Sequence, residues 1–581
     1  MQSKPWHIIV ASGTLALGSS LASVGCRETP TGPQTGVETV RVAPPAARVV
    51  VSDTLRFSAL VTGPNPNHAV RWLAAWGTID SSGLYLAPAR PGADTVQAVS
   101  VVDSTKTGRS PVVIITGIDA VTIAPISPTI VTGDSLRFAA TVTGVNANRT
   151  VRWSASRGTI DGSGLYLAPA SPGADTVQAV SVVDSTRLAT VLLTITNQPL
   201  LLWTTHFPAS SLPGSGYLWG VVLDQDENVI AAGTTYNNSI TGTQRAVVLS
   251  TDRSGRQRWT YVSEGAAEAR DVVLAPDLRS VFVVGIMGDY PQNVPLLFSV
   301  SGAGNKQLER VCSSMVGGAF VGATRDDSRV SIAAYTPGPA IVTSDLAGNL
   351  NCANPMDAAV GDLARPRLSA ASRLAGALVV AGDRWMSNQC WSSGIYPFVQ
   401  EVSTSSQPVW RFDFGSTIGP TATAGSTPRL AVADEAGQTV IYVVASRIEG
   451  CVSTSDFARY MTAKLDSHGN IQWLRLWNGD NSPSSCEAYP YAVIPDPRGG
   501  VVVAGMGSTD CLTAWDCAVA SYSADGSLRW SMRPVFRGNR NNACSAATMT
   551  HSGRYLYVVG QTGVTFSSAQ DLFIAKYALP Q

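Results

Sequence analysis

A short apolar run ending on glycine or a comparable residue recurs seven times in the last two-thirds of this chain, and nothing else limits its folding as tightly. The runs are Ile230-Ala231-Ala232-Gly233, Phe282-Val283-Val284-Gly285, Ile332-Ala333-Ala334-Tyr335, Val379-Val380-Ala381-Gly382, Tyr442-Val443-Val444-Ala445, Val502-Val503-Ala504-Gly505 and Tyr557-Val558-Val559-Gly560. They stand about 50 to 60 residues apart. Each is too short for a helix and carries no polar alternation, as expected of a strand buried on both faces. A turn built on Asp and Gly follows, then a strand holding Trp, at Asp252–Trp259, Asp466–Trp473 and Asp525–Trp530, with Trp410 in a degenerate fourth copy. Gly304 and Gly348 keep the turn without the Trp. Short strands at this period predict a propeller, and seven units close a ring without strain. The last unit lacks its Trp strand. Leu200-Leu201-Leu202-Trp203-Thr204-Thr205, at the other end of the region, is expected to supply it and leave no sheet edge open.

The chain has 581 residues, too many for one core, so three or more domains are expected. Charged residues make up 14%, with 53 Gly and 34 Pro, and no stretch reads as a long amphipathic helix. The fold class is therefore all-β. Forty-one basic residues balance 41 acidic ones, so no global field draws nucleic acid, and none is expected as a partner.

Ahead of the ring lies a duplication. Residues 91–105 and 172–186 both read PGADTVQAVSVVDST, an offset of 81 that also carries Trp72 to Trp153, Asp80 to Asp161 and Tyr85 to Tyr166. Trp72 and Trp153 are the expected core plugs, and Asp80 and Asp161 are expected to stabilise turns. The motif V-x-W…G-T-I-D-x-x-G-L-Y-x-A-P, at Val70–Pro88 and Val151–Pro169, resembles bacterial Ig-like domains of the intimin/invasin type. The resemblance implies two tandem β-sandwiches, 37–117 and 118–197, forming a stalk. Residues 198–581, the expected seven-bladed ring, resemble bacterial propeller repeats of the SBBP and delta-60 kind in their Asp-Gly-Trp phrases. That family implies a fold and little about function.

The first 26 residues read as a targeting segment. Lys4 gives the positive start, Ile8 to Leu21 the apolar stretch, and Ala22-Ser23-Val24-Gly25-Cys26 resembles a bacterial lipobox, with Ser23 where that family prefers Leu. The resemblance implies lipidation of Cys26, a polar tether over 27–36, and a membrane partner reached through the lipid. Arg27 after the Cys implies the outer membrane or cell surface. In an oxidising compartment the other eight cysteines, Cys312, Cys352, Cys390, Cys451, Cys486, Cys511, Cys517 and Cys544, are disulfide candidates. Their places beside equivalent strands suggest 451–486 and either 511–544 or 517–544. Without a Cys-x-x-Cys pair, and with five scattered His, no metal or cofactor is expected.

Ligands of such rings meet the mouth of the central channel, where the innermost strands begin. Trp219, Arg270, Asp271, Arg367, Arg429, Tyr489 and Tyr491 fall there. Guanidinium groups and aromatic faces suit an anionic or sugar-like ligand, whereas pairing with Glu268 and Glu487 would make the arginines structural. Asp224-Gln225-Asp226-Glu227-Asn228 lacks the Gly and distant Glu of a calcium loop and reads as a turn. No nucleophile elbow, zinc-protease or phosphate-loop motif occurs. The expectation is an exported, lipid-anchored, non-catalytic protein for binding, adhesion or scaffolding, with a polysaccharide or an envelope protein as partner. Two alternatives stand beside it: an extracellular polysaccharide-active enzyme with its site at the channel mouth, and a structural envelope component that docks a protein.

Overall fold

The computed structural model describes residues 36–236, 244–288, 292–325, 329–335, 339–352, 356–357, 367–374, 377–386, 394–403, 408–414, 428–449, 457–477, 488–508, 515–534, 536, 542–563 and 570–581. Strand dominates, and the one helical element among them is a short 3-10 turn at Ala209–Ser211. No helix of these residues is long and apolar enough to cross a membrane.

By contacts the chain forms two compact units. One holds 36–122 with 140–152 and 179–189; the other holds 123–139, 153–178 and 190–581. In the first unit, Ala47–Val50, Thr107–Ile115, Gly92–Ser100 and Val70–Ala74 make a four-stranded sheet in that order. Thr54–Arg56, Leu84–Leu86 and Thr78–Ile79 make a three-stranded one. Its core is plugged by Tyr85 (0% exposed) and Phe57, with Trp72 only half-buried at its margin. In the second unit Tyr166 (0% exposed) and Phe138 take the same places and Trp153 is again half-buried. The expectation of tryptophan plugs is corrected. The reason is polar: each Tyr hydroxyl donates to an aspartate buried beside the core, Tyr85 to Asp94 and Tyr166 to Asp175. A phenol fills the core and satisfies a carboxylate at once, which an indole N–H at the margin does not. Asp80 and Asp161 hold turns, each accepting from the backbone N–H two and four residues on.

Within the second unit, residues 200–581 build seven four-stranded antiparallel sheets. The first consists of Ser215–Leu223, Val229–Tyr236, Gln244–Thr251 and Gln257–Val262. Five more follow over 267–311, 319–357, 367–413, 429–477 and 488–532. The seventh joins Asn542–Met549, Tyr555–Thr562 and Asp571–Ala578 to Leu200–Phe207, which pairs antiparallel from Leu200↔Ala578 to Phe207↔Leu572. The first strand of each sheet lies beside the first strand of the next, and that of the seventh lies beside that of the first. The arrangement is propeller-like. Among the described residues no hydrogen-bonded sheet closes on itself; the sheets are joined by packing.

That packing explains the seven runs. Ile230 and Ala232 face the second sheet, while Val229 and Ala231 face the seventh. Val502 and Ala504 face the seventh sheet, while Val501 and Val503 face the fifth. With side chains alternating across a strand, a strand apolar on both faces must read as an unbroken apolar run.

The turn and its Trp form a clasp between sheets. Asp252, Asp345 and Asp466 each accept the backbone N–H groups two and four residues on, closing the turn. The following glycine has φ near +85°. A Cβ on Gly526 would lie 2.8 Å from the Trp473 ring of the preceding sheet, and one on Gly304 the same distance from Trp259. The indole N–H donates to a turn carbonyl: Trp259 to Gly302 at 2.9 Å, Trp410 to Ser467 at 3.0 Å, Trp473 to Ala524 at 2.9 Å. Leu308 replaces the Trp against Gly348.

Disulfides add two staples. Cys312–Cys352 ties the second sheet to the third, and Cys517–Cys544 ties the sixth to the seventh. The 517–544 alternative is therefore correct and 511–544 is not. Cys390, Cys451, Cys486 and Cys511 lie outside the described residues.

Candidate functional site

The inner strands break register with their partners near their starts. In six of the seven sheets one residue is left over, namely Trp219, Arg270, Val321, Ser369, Tyr491 and Ser545. Such bulges re-aim side chains at rims and sites. The next residue along each strand is Gly220, Asp271, Gly322, Ala370, Ala492 or Ala546. The fifth sheet stays in register, and there Arg429, opposite Val444, holds the matching place. One layer of the channel thus reads Gly, Asp, Gly, Ala, Arg, Ala, Ala around the ring.

A cavity of about 160 Å³ lies within this layer, lined by Gly220, Asp271, Gly322, Arg429, Ala492 and Ala546, with Trp219 and Tyr491 on its wall. Asp271 Oδ1 accepts from the Val272 N–H at 2.8 Å, and Oδ2 accepts from the Ala323 N–H of the third sheet at 3.0 Å. A Cβ on Gly220 would come within 2.9 Å of Asp271 Oδ1, so the glycine makes room for the carboxyl. Burial pushes the Asp271 pKa above the usual carboxylate range, against the pull of the Ala323 N–H and of Arg429. Burial also lowers the Arg429 pKa, opposed by Asp271 and assisted by Arg270. Tyr491 is pushed up to about 12 by burial, with Arg429 drawing it down.

A second cavity, of about 170 Å³, shares Trp219 and Tyr491 with the first and adds Tyr217, Met506, Ser545, Gln561 and Gln570. Tyr217 stacks on Trp219 with centroids 5.6 Å apart, and on Tyr236 at 5.8 Å. Gln561 and Gln570 are 4% and 6% exposed, and Gln570 Oε1 has no hydrogen-bond partner.

Of the residues expected at the mouth, Trp219, Asp271, Arg429 and Tyr491 line the first cavity. Arg270 turns away into an ion pair with Glu268, its Nε donating to Oε2 at 2.7 Å. Tyr489 sits on the inner strand of the sixth sheet but lines neither cavity. Arg367 opens the inner strand of the fourth sheet, opposite Asp383. Glu487 lies outside the described residues. Tyr217, Ser545, Gln561 and Gln570 were not anticipated. Tyr217 was within reach, being two residues from Trp219 and so on the same face of its strand. Asp224 accepts from the N–H groups of Asp226 and Asn228, both at 2.9 Å, closing a turn.

No family model matches the chain, and no curated protein matches it. Among solved structures it is similar to an α-L-arabinofuranosidase from Fusarium graminearum in complex with an iminosugar inhibitor. The identity is 9%, the match covers 65% of this chain and 97% of that one, and the TM-score is 0.36. It is also similar to a Penicillium chrysogenum α-L-arabinanase complexed with arabinobiose, at 10% identity, 65% and 97% coverage and a TM-score of 0.35. A titin Z1Z2 structure in complex with telethonin matches at 16% identity over 28% of this chain and 96% of that one, with a TM-score of 0.19. These likenesses concern the all-β, propeller-like arrangement and no individual residue. The expectation of a non-catalytic head for adhesion or scaffolding is corrected: the first two structures are enzymes that act on glycosides. Among the described residues, the first cavity of this chain is lined by one half-buried carboxyl, Asp271, and one guanidinium, Arg429.

Proposed function

We propose that the chain is a carbohydrate-cleaving enzyme of the cell exterior, with its chemistry in the channel between the sheets. One observation carries the reading. Asp271, whose pKa burial raises, stands in a channel layer that is otherwise Gly and Ala apart from Arg429. A carboxyl that keeps its proton is what glycosidic scission requires. Asp271 gives the proton to the bridging oxygen as the bond from that oxygen to the anomeric carbon breaks. Water adds to the anomeric carbon, and the proton it sheds restores the acid, so one water is consumed per bond. Arg429, across the same layer, stabilises the carboxylate left when the proton has gone. Among the described residues lining this cavity, Asp271 is the one carboxyl.

The rest of the chain fits this role. Residues 37–117 and 118–197 are two Ig-like sandwiches that space residues 198–581, a seven-bladed propeller, from an envelope to which Cys26 tethers it through lipid. The test is incubation of the full chain with plant, fungal and bacterial polysaccharides, with new reducing ends counted. Release that vanishes with Asp271→Asn supports the reading. No release from any polymer, or release indifferent to that change, sinks it.

A further inference from the structure

We infer that the second cavity is a subsite for one uncharged sugar ring of the polymer, with Gln570 Oε1 accepting a hydroxyl; this rests on the carbohydrate reading above and narrows it. Three observations converge. The walls are aromatic, with Tyr217 and Trp219 stacked and Tyr491 beside them. Such faces suit the apolar face of a sugar ring, and a few placed polar groups then fix its orientation. Gln570 lines this space, is 6% exposed, and its buried Oε1 has no hydrogen-bond partner. Buried acceptors without donors are rare and costly, so one that lines a cavity points to a donor brought by a ligand. Lastly, a cavity of about 150 Å³ takes a benzene ring, and this one, at about 170 Å³, has room for a single six-membered ring.

The charge of the sugar follows from the lining. No charged side chain is among the described residues of this cavity. A uronate carboxylate would set an acceptor against the Gln570 acceptor with no cation to offset it. A neutral sugar instead brings the O–H that Gln570 lacks. Because Trp219 and Tyr491 wall both cavities, a chain seated here continues toward Asp271, and the subsite selects which bond reaches the acid.

The experiment uses the full chain carrying Asp271→Asn, so that bound polymer is not consumed. Calorimetric titration would compare neutral gluco-, xylo-, galacto- and arabino-oligosaccharides with oligogalacturonate. At least one neutral series is expected to bind. Gln570→Leu is expected to weaken it about tenfold, and Trp219→Ala by more. Gln570→Leu removes a buried unpaired acceptor and leaves an apolar side chain one atom shorter in its place, so it tests the contact with little threat to the fold. Preference for oligogalacturonate, no binding of any series, or neutral binding indifferent to both changes overturns the inference. The two readings fail differently. If the unmodified chain cleaves a glycan and Gln570→Leu leaves KM intact, the subsite is wrong and the enzyme stands. If neutral binding responds to Gln570→Leu and no glycan is ever cleaved, the subsite stands and the enzyme is wrong.

Discussion

The N-terminal repeats and the ring of sheets both repeat themselves, yet they hold different things constant. In the repeats the most deeply committed polar group is kept. Asp94 accepts from the N–H groups of Ala75, Trp76, Gly77 and Thr95 and from the Tyr85 hydroxyl. Asp175 accepts from Ser156, Arg157, Gly158, Thr176 and Tyr166 in the same way. In the ring the apolar runs and the turn clasps are kept, but the channel layer is broken at two of seven places, by Asp271 and Arg429. A buried charge that every copy carries is answered locally by its own copy. Asp271 and Arg429, each half-buried and carried by one copy alone, are answered only in part locally, Asp271 by its own Val272 N–H and by the Ala323 N–H of the next sheet. The difference separates scaffold from chemistry.

The sharpest test of this contrast is Asp271→Asn. A positioned proton donor contributes about a hundredfold to ten-thousandfold, so kcat on any cleaved glycan should fall by at least about a hundredfold. The melting temperature should fall far less than for the carboxylates of the repeats, since the new amide meets one backbone N–H donor while burial already disfavours the carboxylate it replaces. A large loss of stability would put Asp271 with the scaffold and undo the distinction.

Asp94→Asn and Asp175→Asn should do the reverse. For both groups burial raises the pKa, but the gathered N–H donors and the Tyr hydroxyl, joined at Asp175 by the Ser156 hydroxyl, outweigh it and leave the pKa below the usual range. An amide in their place turns an N–H₂ toward N–H donors. The expected cost is about 3 kcal/mol per repeat, with turnover in the channel untouched. The sign with pH follows. A depressed folded pKa gives stability that is full above the unfolded value of 3.8 and drains away as pH falls through the folded value. Acid melts of the unmodified chain should show that loss, and melts of the Asn variants should show less of it, the other depressed carboxyls such as Asp161 and Asp525 keeping theirs. A smaller effect is expected from Gly526→Ala, where φ is +81° and the new Cβ meets Trp473. Overpacking of this kind costs about 1–3 kcal/mol, read as a lowered denaturant midpoint.

Much of the fold could be read from the sequence because its causes are local or periodic. A strand buried on both faces cannot hide its apolar run, and a Trp seated on a glycine leaves both residues at fixed offsets from an Asp. The tyrosine plugs could not be seen, because what prefers Tyr85 to Trp72 is the hydroxyl's bond to Asp94, a contact across strands. At the site, position alone marked Trp219, Asp271, Arg429 and Tyr491 as strand-start residues. It could not tell Arg429, which enters the channel, from Arg270, which folds onto Glu268. It was silent on Gln570, whose importance lies in a bond it does not make. Side-chain types near a mouth say nothing of whether the channel is filled or hollow.

The least of the expected effects tests whether Asp271 and Arg429 work as a pair. Burial is the first cause of the raised Asp271 pKa, and Arg429 is one of the groups that restrain it. Arg429→Met removes that restraint while the Ala323 and Val272 N–H groups remain, so the pKa should climb further. Activity that depends on the protonated acid falls as pH rises through this pKa, and the alkaline limb of the rate profile should therefore move to higher pH. Stability follows the same sign. A carboxyl whose folded pKa is raised contributes most below the unfolded value and loses its contribution as pH climbs through the folded one. In Arg429→Met that loss should start at the same unfolded value of 3.8 but run on to higher pH, so the melting temperature falls over a wider pH range than in the unmodified chain. Arg270 and Tyr491, the other groups acting on Arg429, stay in place and cannot mimic the shift. A limb that stays put, or moves to lower pH, would mean that the two charges sharing the layer do not act on one another.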